Sequence, residues 1–310
     1  MGVNLTTSTD FLLLGLSDHP GVKVLLFCTL LLLYILTLIG NLSIVLVSRL
    51  DKHLHTPMYF FLGNLAFLDI CYTSTTMPKM LQILLAEDKS ITFIACVTQM
   101  YLFVACVGTG HVLLAVMSYD RYLAICQPFR YLVLMNFKVC ANLAFVSWFC
   151  GLLNSVVHTI FTFRLNFCRS RRIEYFFCDI PALLSLSCSD TSVNQALLVS
   201  VGVLIGWGPF LSIVISYIYI LVTIMKISST DGRQKSFSTC ASHLAVVILY
   251  YGSAIANYMR PVSSYSLGKD RLVSILYSMV TPMLNPIIYT FRNQDVKNAI
   301  SKLFKHRRKL

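Results

Sequence analysis

Charge is scarce in this chain. Asp, Glu, Lys and Arg make up 12% of its 310 residues, about half the share of an ordinary soluble domain. Seven long stretches carry almost none: Val24–Val47, Pro57–Met77, Ile91–Tyr119, Val139–Phe163, Thr191–Met225, Ser236–Met259 and Leu272–Phe291. Each meets the length of about 20 mostly apolar residues that a spanning helix needs. Amphipathic helices that could cover seven such segments in water are almost absent, which excludes a large soluble helical core. Lipid covers these helices without cost and forces their backbones to bond internally. Also missing is a basic segment followed by an apolar core and a small-residue cleavage site within Met1–Phe11, so the first span is expected to act as targeting signal and to be retained. No exposed basic domain with groove-reading elements exists, which excludes nucleic acid as a partner.

What the sequence does contain agrees with a multi-pass membrane protein. Mean hydropathy is +0.72, and the spans are expected at about residues 24–48, 57–80, 91–122, 139–163, 193–226, 236–260 and 270–291, with an outer N-terminus at 1–23 and a tail at 292–310. With that orientation, fifteen of the 25 Lys and Arg face the cytoplasm against Asp51, Asp120, Asp231 and Asp295, so the inner face carries about +11 of the net +12. Arg164, Arg169, Arg171 and Arg172 dilute the bias, but they fall in one long outer loop, where charge counts little. A sequon at Asn4-Leu5-Thr6 lies on the outer side. A second, Asn41-Leu42-Ser43, sits inside the first span and should be inaccessible.

Cysteines divide by side. Cys28, Cys71, Cys106, Cys126, Cys140, Cys150 and Cys240 lie in spans or at their inner ends and read as small apolar residues. Cys96, Cys168, Cys178 and Cys188 lie outside, where four cysteines imply two bridges with three possible pairings. Close paired-Cys spacing is lacking, and no His lies between Cys168 and Cys188, so no metal and no cofactor are expected.

Within the spans, polar chemistry is thin. Asp69 is the only deep acid, and Asp120-Arg121-Tyr122 ends the third span at the cytoplasmic boundary. Intramembrane ionisable residues are costly and mark functional positions. Asp120 and Arg121 read either as an interfacial pair or as a switch. Asn285-Pro286-Ile287-Ile288-Tyr289 closes the last span, where Pro286 removes a backbone donor and kinks the helix. A transporter would show repeats or broken helices. An intramembrane enzyme would need a nucleophile–base pair, and His111, His158 and His243 form no such arrangement.

At these residues the chain resembles the olfactory (odorant) receptors of the tetrapod type, a branch of the rhodopsin-like G-protein-coupled receptors, over essentially its whole length. The matching words are Gly40-Asn41, Leu54-His55-Thr56-Pro57-Met58-Tyr59-Phe60-Phe61-Leu62, Met117 to Cys126 around Asp120-Arg121-Tyr122, and Ser216-Tyr217. Lys235-Ser236-Phe237-Ser238-Thr239-Cys240-Ala241-Ser242-His243-Leu244 and Pro282-Met283-Leu284-Asn285-Pro286-Ile287-Ile288-Tyr289 complete the set. The first-loop and sixth-span words are the specific ones. A rhodopsin-like receptor for some other small lipophilic molecule is the alternative.

The resemblance implies an all-α bundle of seven transmembrane helices and no enzyme. It implies an odorant held in the outer half, and an olfactory-type stimulatory G protein that raises cyclic AMP, in the ciliary membrane of olfactory neurons. It pairs Cys96 with Cys178 and Cys168 with Cys188. Arg121 would leave Asp120 on activation to meet Tyr217, Tyr289 and the G protein, with Tyr122, His243, Asn285 and Pro286 in the same switch. By the family's pattern, Val104, Val107, Gly108, Ile205, Tyr251, Ala254, Ile255 and Tyr258 line the pocket, although each is equally a helix-packing residue. The upper third span, Phe103 to Thr109, lacks an acid, so the expected ligands are neutral and lipophilic, because an unpaired ammonium in an apolar site is prohibitive. Many relatives carry a Glu where this chain has Gly110. Its absence leaves Asp69 without a second acid for sodium, to be bonded by His111 or Asn285; His111 is otherwise expected against the fourth or fifth span. Asn293–Leu310 reads as a short amphipathic helix on the inner leaflet, with Val296, Ile300, Leu303 and Phe304 on one stripe and no Cys for a palmitoyl anchor.

Overall fold

A computed structural model describes residues 10–14, 19–168, 171–258 and 280–292; at 235, 256–258 and 290–292 only the backbone is described. Asn4, the side chain of Tyr258 and the tail after Arg292 therefore lie outside the described residues. Helices dominate: α1 (Pro20–Leu50), α2 (Pro57–Leu85), α3 (Phe93–Cys126), the short α4 (Tyr131–Leu134) and α5 (Phe137–Phe163). They continue as α6 (Ile180–Leu184), α7 (Ser192–Gly202), a π-helical segment (Val203–Trp207), α8 (Gly208–Met225), α9 (Thr230–Tyr258) and α10 (Thr281–Arg292). Among the described residues, five helical stretches are long and apolar enough to cross a membrane: α1, α3, α5, the α7–α8 unit and α9.

The second span is the informative exception. α2 is interrupted by Asn64, Asp69 and the Thr73 to Thr76 polar run, yet it has fifteen buried positions, Asp69 among them. Asp69, Thr73 and Thr76 turn inward, against other helices rather than lipid. The opposite case is α1, where Leu25, Leu32, Leu36 and Ile39 are exposed along the lipid side.

Small residues set the central crossing. A Cβ added at Gly108 of α3 would lie 3.1 Å from the Gly151 Cα of α5, and one at Gly151 would run into Thr109. Glycine at both positions lets the two backbones approach closely, as packing in lipid rewards. Ser155 Oγ, one turn on, donates to the Tyr101 carbonyl and ties the same pair.

α10 depends on α1. Pro286 cannot donate to the carbonyl four residues earlier, that of Pro282. Asn41 Nδ2 donates to that carbonyl at 3.0 Å, and Gly40 leaves room for the proline ring, whose Cβ a side chain there would meet at 3.0 Å. The Gly40-Asn41 pair thus satisfies the carbonyl that the proline leaves free, from across the bundle. Asn41 is fully buried, so the sequon that begins there has an internal use.

On the outer side the chain forms a small sheet of order β2-β1-β3: β1 (Phe11–Leu13), β2 (Ser90–Ile91) and β3 (Arg172–Ile173). β1 runs antiparallel to β2 and parallel to β3. Phe11 and Leu13 are buried, which fixes the register by side-chain alternation. Asp88 accepts from the Ser90 N–H at 2.8 Å and the Ser90 hydroxyl at 3.0 Å. Those bonds hold its carboxyl below the usual carboxylate range and shape the turn into β2.

Candidate functional site

Two disulfides fix the long outer loop. Cys96 at the top of α3 bonds Cys178, and Cys168 bonds Cys188. Gln99, one turn below Cys96, accepts from the Cys178 N–H at 2.9 Å and donates to the Thr75 carbonyl at 3.0 Å. Phe176 and Phe177 are buried beside this anchor, and Phe177 packs on Phe103 with ring centroids 4.8 Å apart. The loop then enters α6, whose Ile180 reaches the cavity below.

That cavity has a volume of about 250 Å³, near the small end of small-molecule sites. α3 contributes Val104, Val107, Gly108 and His111. The π segment and its flanks supply Gly202, Ile205, Gly206 and Trp207, and α9 supplies Tyr251, Ala254 and Ile255. Seven of the eight residues expected from the sequence therefore meet around one space; the eighth is Tyr258. A π turn re-aims the side chains after it by adding a residue to the helical turn. Here it turns Ile205 and Trp207 toward the cavity, and Gly202 and Gly206 leave open space where a Cβ would meet nothing within 4 Å. The wall from α5, formed by Asn154 and His158, was absent from the expected set. Its signal was readable: a carboxamide and an imidazole one helical turn apart within a span.

The expectation for His111 is corrected. It faces neither Asp69 nor the fourth or fifth span as its main partner. Its Nδ1 lies 2.8 Å from the Val107 carbonyl, and its ring sits edge-on to Tyr250 and Tyr251 of α9, with centroids 5.0 and 4.8 Å away. Two tyrosines on the sixth span outcompete the other faces because both rings offer contact and one, Tyr251, donates to the His111 carbonyl at 3.4 Å. Asp69 instead accepts from Asn285 Nδ2 at 2.8 Å, deep between α2 and α10.

At the cytoplasmic end, Asp120 accepts from the Tyr131 hydroxyl at 2.8 Å, so α4 takes up the carboxylate that was expected to hold Arg121. Burial and the Asp120 charge push the Tyr131 phenol above its ordinary range, and it stays a donor. Tyr217 of α8 and His243 of α9 are joined by a 2.8 Å hydrogen bond between hydroxyl and Nδ1, with stacked rings. The Arg121 charge acts on Tyr217, His243 and Tyr289. The Tyr289 hydroxyl is buried with no hydrogen-bond partner among the described residues. Tyr122 points elsewhere, edge-on to Tyr219 at 5.9 Å. A bundle with an outer apolar cavity, a tethered lid and an inner cluster about one arginine suits a ligand-driven switch rather than bond chemistry.

The sequence profile of the olfactory receptors matches residues 27–307. The chain belongs to the olfactory receptor family. It is thus a multi-pass membrane receptor built on the seven-helix, rhodopsin-like bundle, and not an enzyme. The receptor is similar to human olfactory receptor 5A2, 50% identical over 302 residues that cover 97% of this chain and 93% of that one. Mouse olfactory receptor 2C1 is 47% identical over 298 residues, 96% of each chain. Human olfactory receptor 5B12 is 48% identical over 302 residues, 96% and 95% of the two chains.

Proposed function

We propose that the receptor binds small, neutral, lipophilic odorants in the outer cavity and activates an olfactory-type stimulatory G protein, raising cyclic AMP. The observation that carries this reading is the lining: among the described residues around the cavity there is no Asp, Glu, Lys or Arg. Affinity then comes from burial of apolar ligand surface with one or two hydrogen bonds, and Val104, Val107, Gly108, Ile205, Tyr251, Ala254, Ile255 and Tyr258 form the contact set. The N-terminus, glycosylated at Asn4, faces outside, and the protein works in the plasma membrane of olfactory cilia.

A ligand moves the receptor only by binding one packing better than the other. Tyr251, Ala254 and Ile255 on α9 give a ligand purchase on the sixth span. Outward movement of that span parts Tyr217 from His243, frees Arg121 of Asp120, and brings the buried Tyr289 hydroxyl a partner, with Asn285 and Pro286 as the pivot. Cyclic AMP assays of surface-expressed receptor against neutral, acidic and amine volatiles test the reading. Neutral volatiles should be the best agonists; preference for permanent cations rejects it.

A further inference from the structure

Asn154 and His158 stand one turn apart on α5, so both project from the face that borders the cavity. His158 is 6% exposed and, among the described residues, no protein group hydrogen-bonds its ring. Asn154 Oδ1 is buried and has no hydrogen-bond partner among the described residues. The opposite wall offers no help, because Asn154 faces Gly108 there, with its Nδ2 only 3.2 Å from where a Cβ would be. Elsewhere on the lining, His111 Nδ1 is used on the Val107 carbonyl and the Tyr251 hydroxyl on the His111 carbonyl. A buried acceptor without a donor is costly, and a ligand that brings the donor recovers that cost.

We propose that Asn154 and His158 form a hydroxyl-recognition subsite, so that the preferred odorants are compact alcohols. This rests on the cavity being the odorant site. A ligand O–H donates to Asn154 Oδ1, and its oxygen accepts from the N–H of the neutral His158 imidazole. One hydroxyl satisfies both groups at once. A ketone, ester or ether accepts from His158 and leaves Asn154 Oδ1 bare. A carboxylate does the same and brings an unpaired charge into an apolar cavity. Discrimination of this kind is strong because the wrong ligand leaves a buried polar group unpaired.

The test compares an alcohol, the ketone, the methyl ether and the carboxylic acid on one carbon skeleton, for several compact skeletons, by cyclic AMP dose response. Parent receptor should favour the alcohol by about tenfold or more, the factor of about 1.4 kcal/mol in binding. Asn154→Leu and His158→Phe, at matched surface level, should lower alcohol potency about tenfold and bring the ketone within about threefold of it. A purely structural role would shift the whole series in parallel. Equal potency of ketone and alcohol on the parent, or a parallel shift in both variants, overturns the subsite while leaving the receptor reading intact. Silence of the surface-expressed parent toward every compound overturns the cavity reading and the subsite together. The parent comparison needs no variant, so a variant that fails to fold cannot hide the answer.

Discussion

Tyr250 occupies the space that a side chain at Gly110 would need: a Cβ there would collide with the tyrosine ring and hydroxyl. The hydroxyl itself donates to the Val107 carbonyl at 2.9 Å. The third-span position where an acid was noted as missing is therefore filled from the sixth span. Gly110→Ala should lower thermal stability by roughly 1–3 kcal/mol, the usual penalty of overpacking. In the Tyr250→Ala background the same change should cost clearly less, a coupling that a double-mutant cycle on detergent-solubilised receptor reads directly. Equal penalties in both backgrounds would show that the two residues do not compete.

The Asp69–Asn285 bond joins α2 to the kinked α10. Asn285→Ala leaves a deep carboxyl without its donor and should cost about 1–3 kcal/mol, seen as lower surface expression and melting temperature. Asp69→Asn keeps a carbonyl acceptor for the amide and should be tolerated better. His111→Phe should leave the dependence on sodium unchanged, since His111 bonds the Val107 carbonyl and not the acid. A sodium response that disappears in His111→Phe would contradict this.

At the inner face, Tyr131→Phe removes the donor that holds Asp120 and leaves Arg121 as its remaining polar neighbour. Basal cyclic AMP should change by a few-fold, about the weight of one charge-assisted hydrogen bond in a switch equilibrium. Arg121→Ala should abolish ligand-driven cyclic AMP at near-normal surface level. Full signalling in that variant would reduce Arg121 to an interfacial anchor.

Gly206 borders the cavity with open space around its missing Cβ. Gly206→Val should fold normally and shrink the space available to ligand. Bulky agonists should lose about tenfold or more in potency, roughly 1.4 kcal/mol, while the smallest keep theirs. Dose–response curves for agonists of graded size check the trend.

Much of this fold was legible because lipid imposes a simple demand. Runs such as Val24–Val47 are visible by length alone. The missing backbone donor at Pro286 was legible too, since proline has one backbone consequence, but the use of the freed Pro282 carbonyl by Asn41 was not, because Asn41 and Pro282 lie 241 residues apart. The outer sheet escaped notice for a different reason: strands of two and three residues are too short to show alternation. His111 was misplaced because periodicity says which face a residue occupies and not which neighbour fills that face. Asn154 lies outside the apolar pattern that marks the other lining residues, and only its spacing from His158 signals its place on the cavity.

The outer sheet also imposes an order of assembly. Its central strand, β1, is made before both of its partners, which come from later segments at Ser90–Ile91 and Arg172–Ile173. One edge of β1 can pair once the second helix has been inserted, but the other stays open on the far side of the membrane until the fourth has followed. During that interval Phe11 and Leu13 lack the full cover they have in the folded receptor, and the strand presents an open edge. The sheet is thus completed only by segments made after β1, and an open strand edge is a template for wrong partners until they arrive.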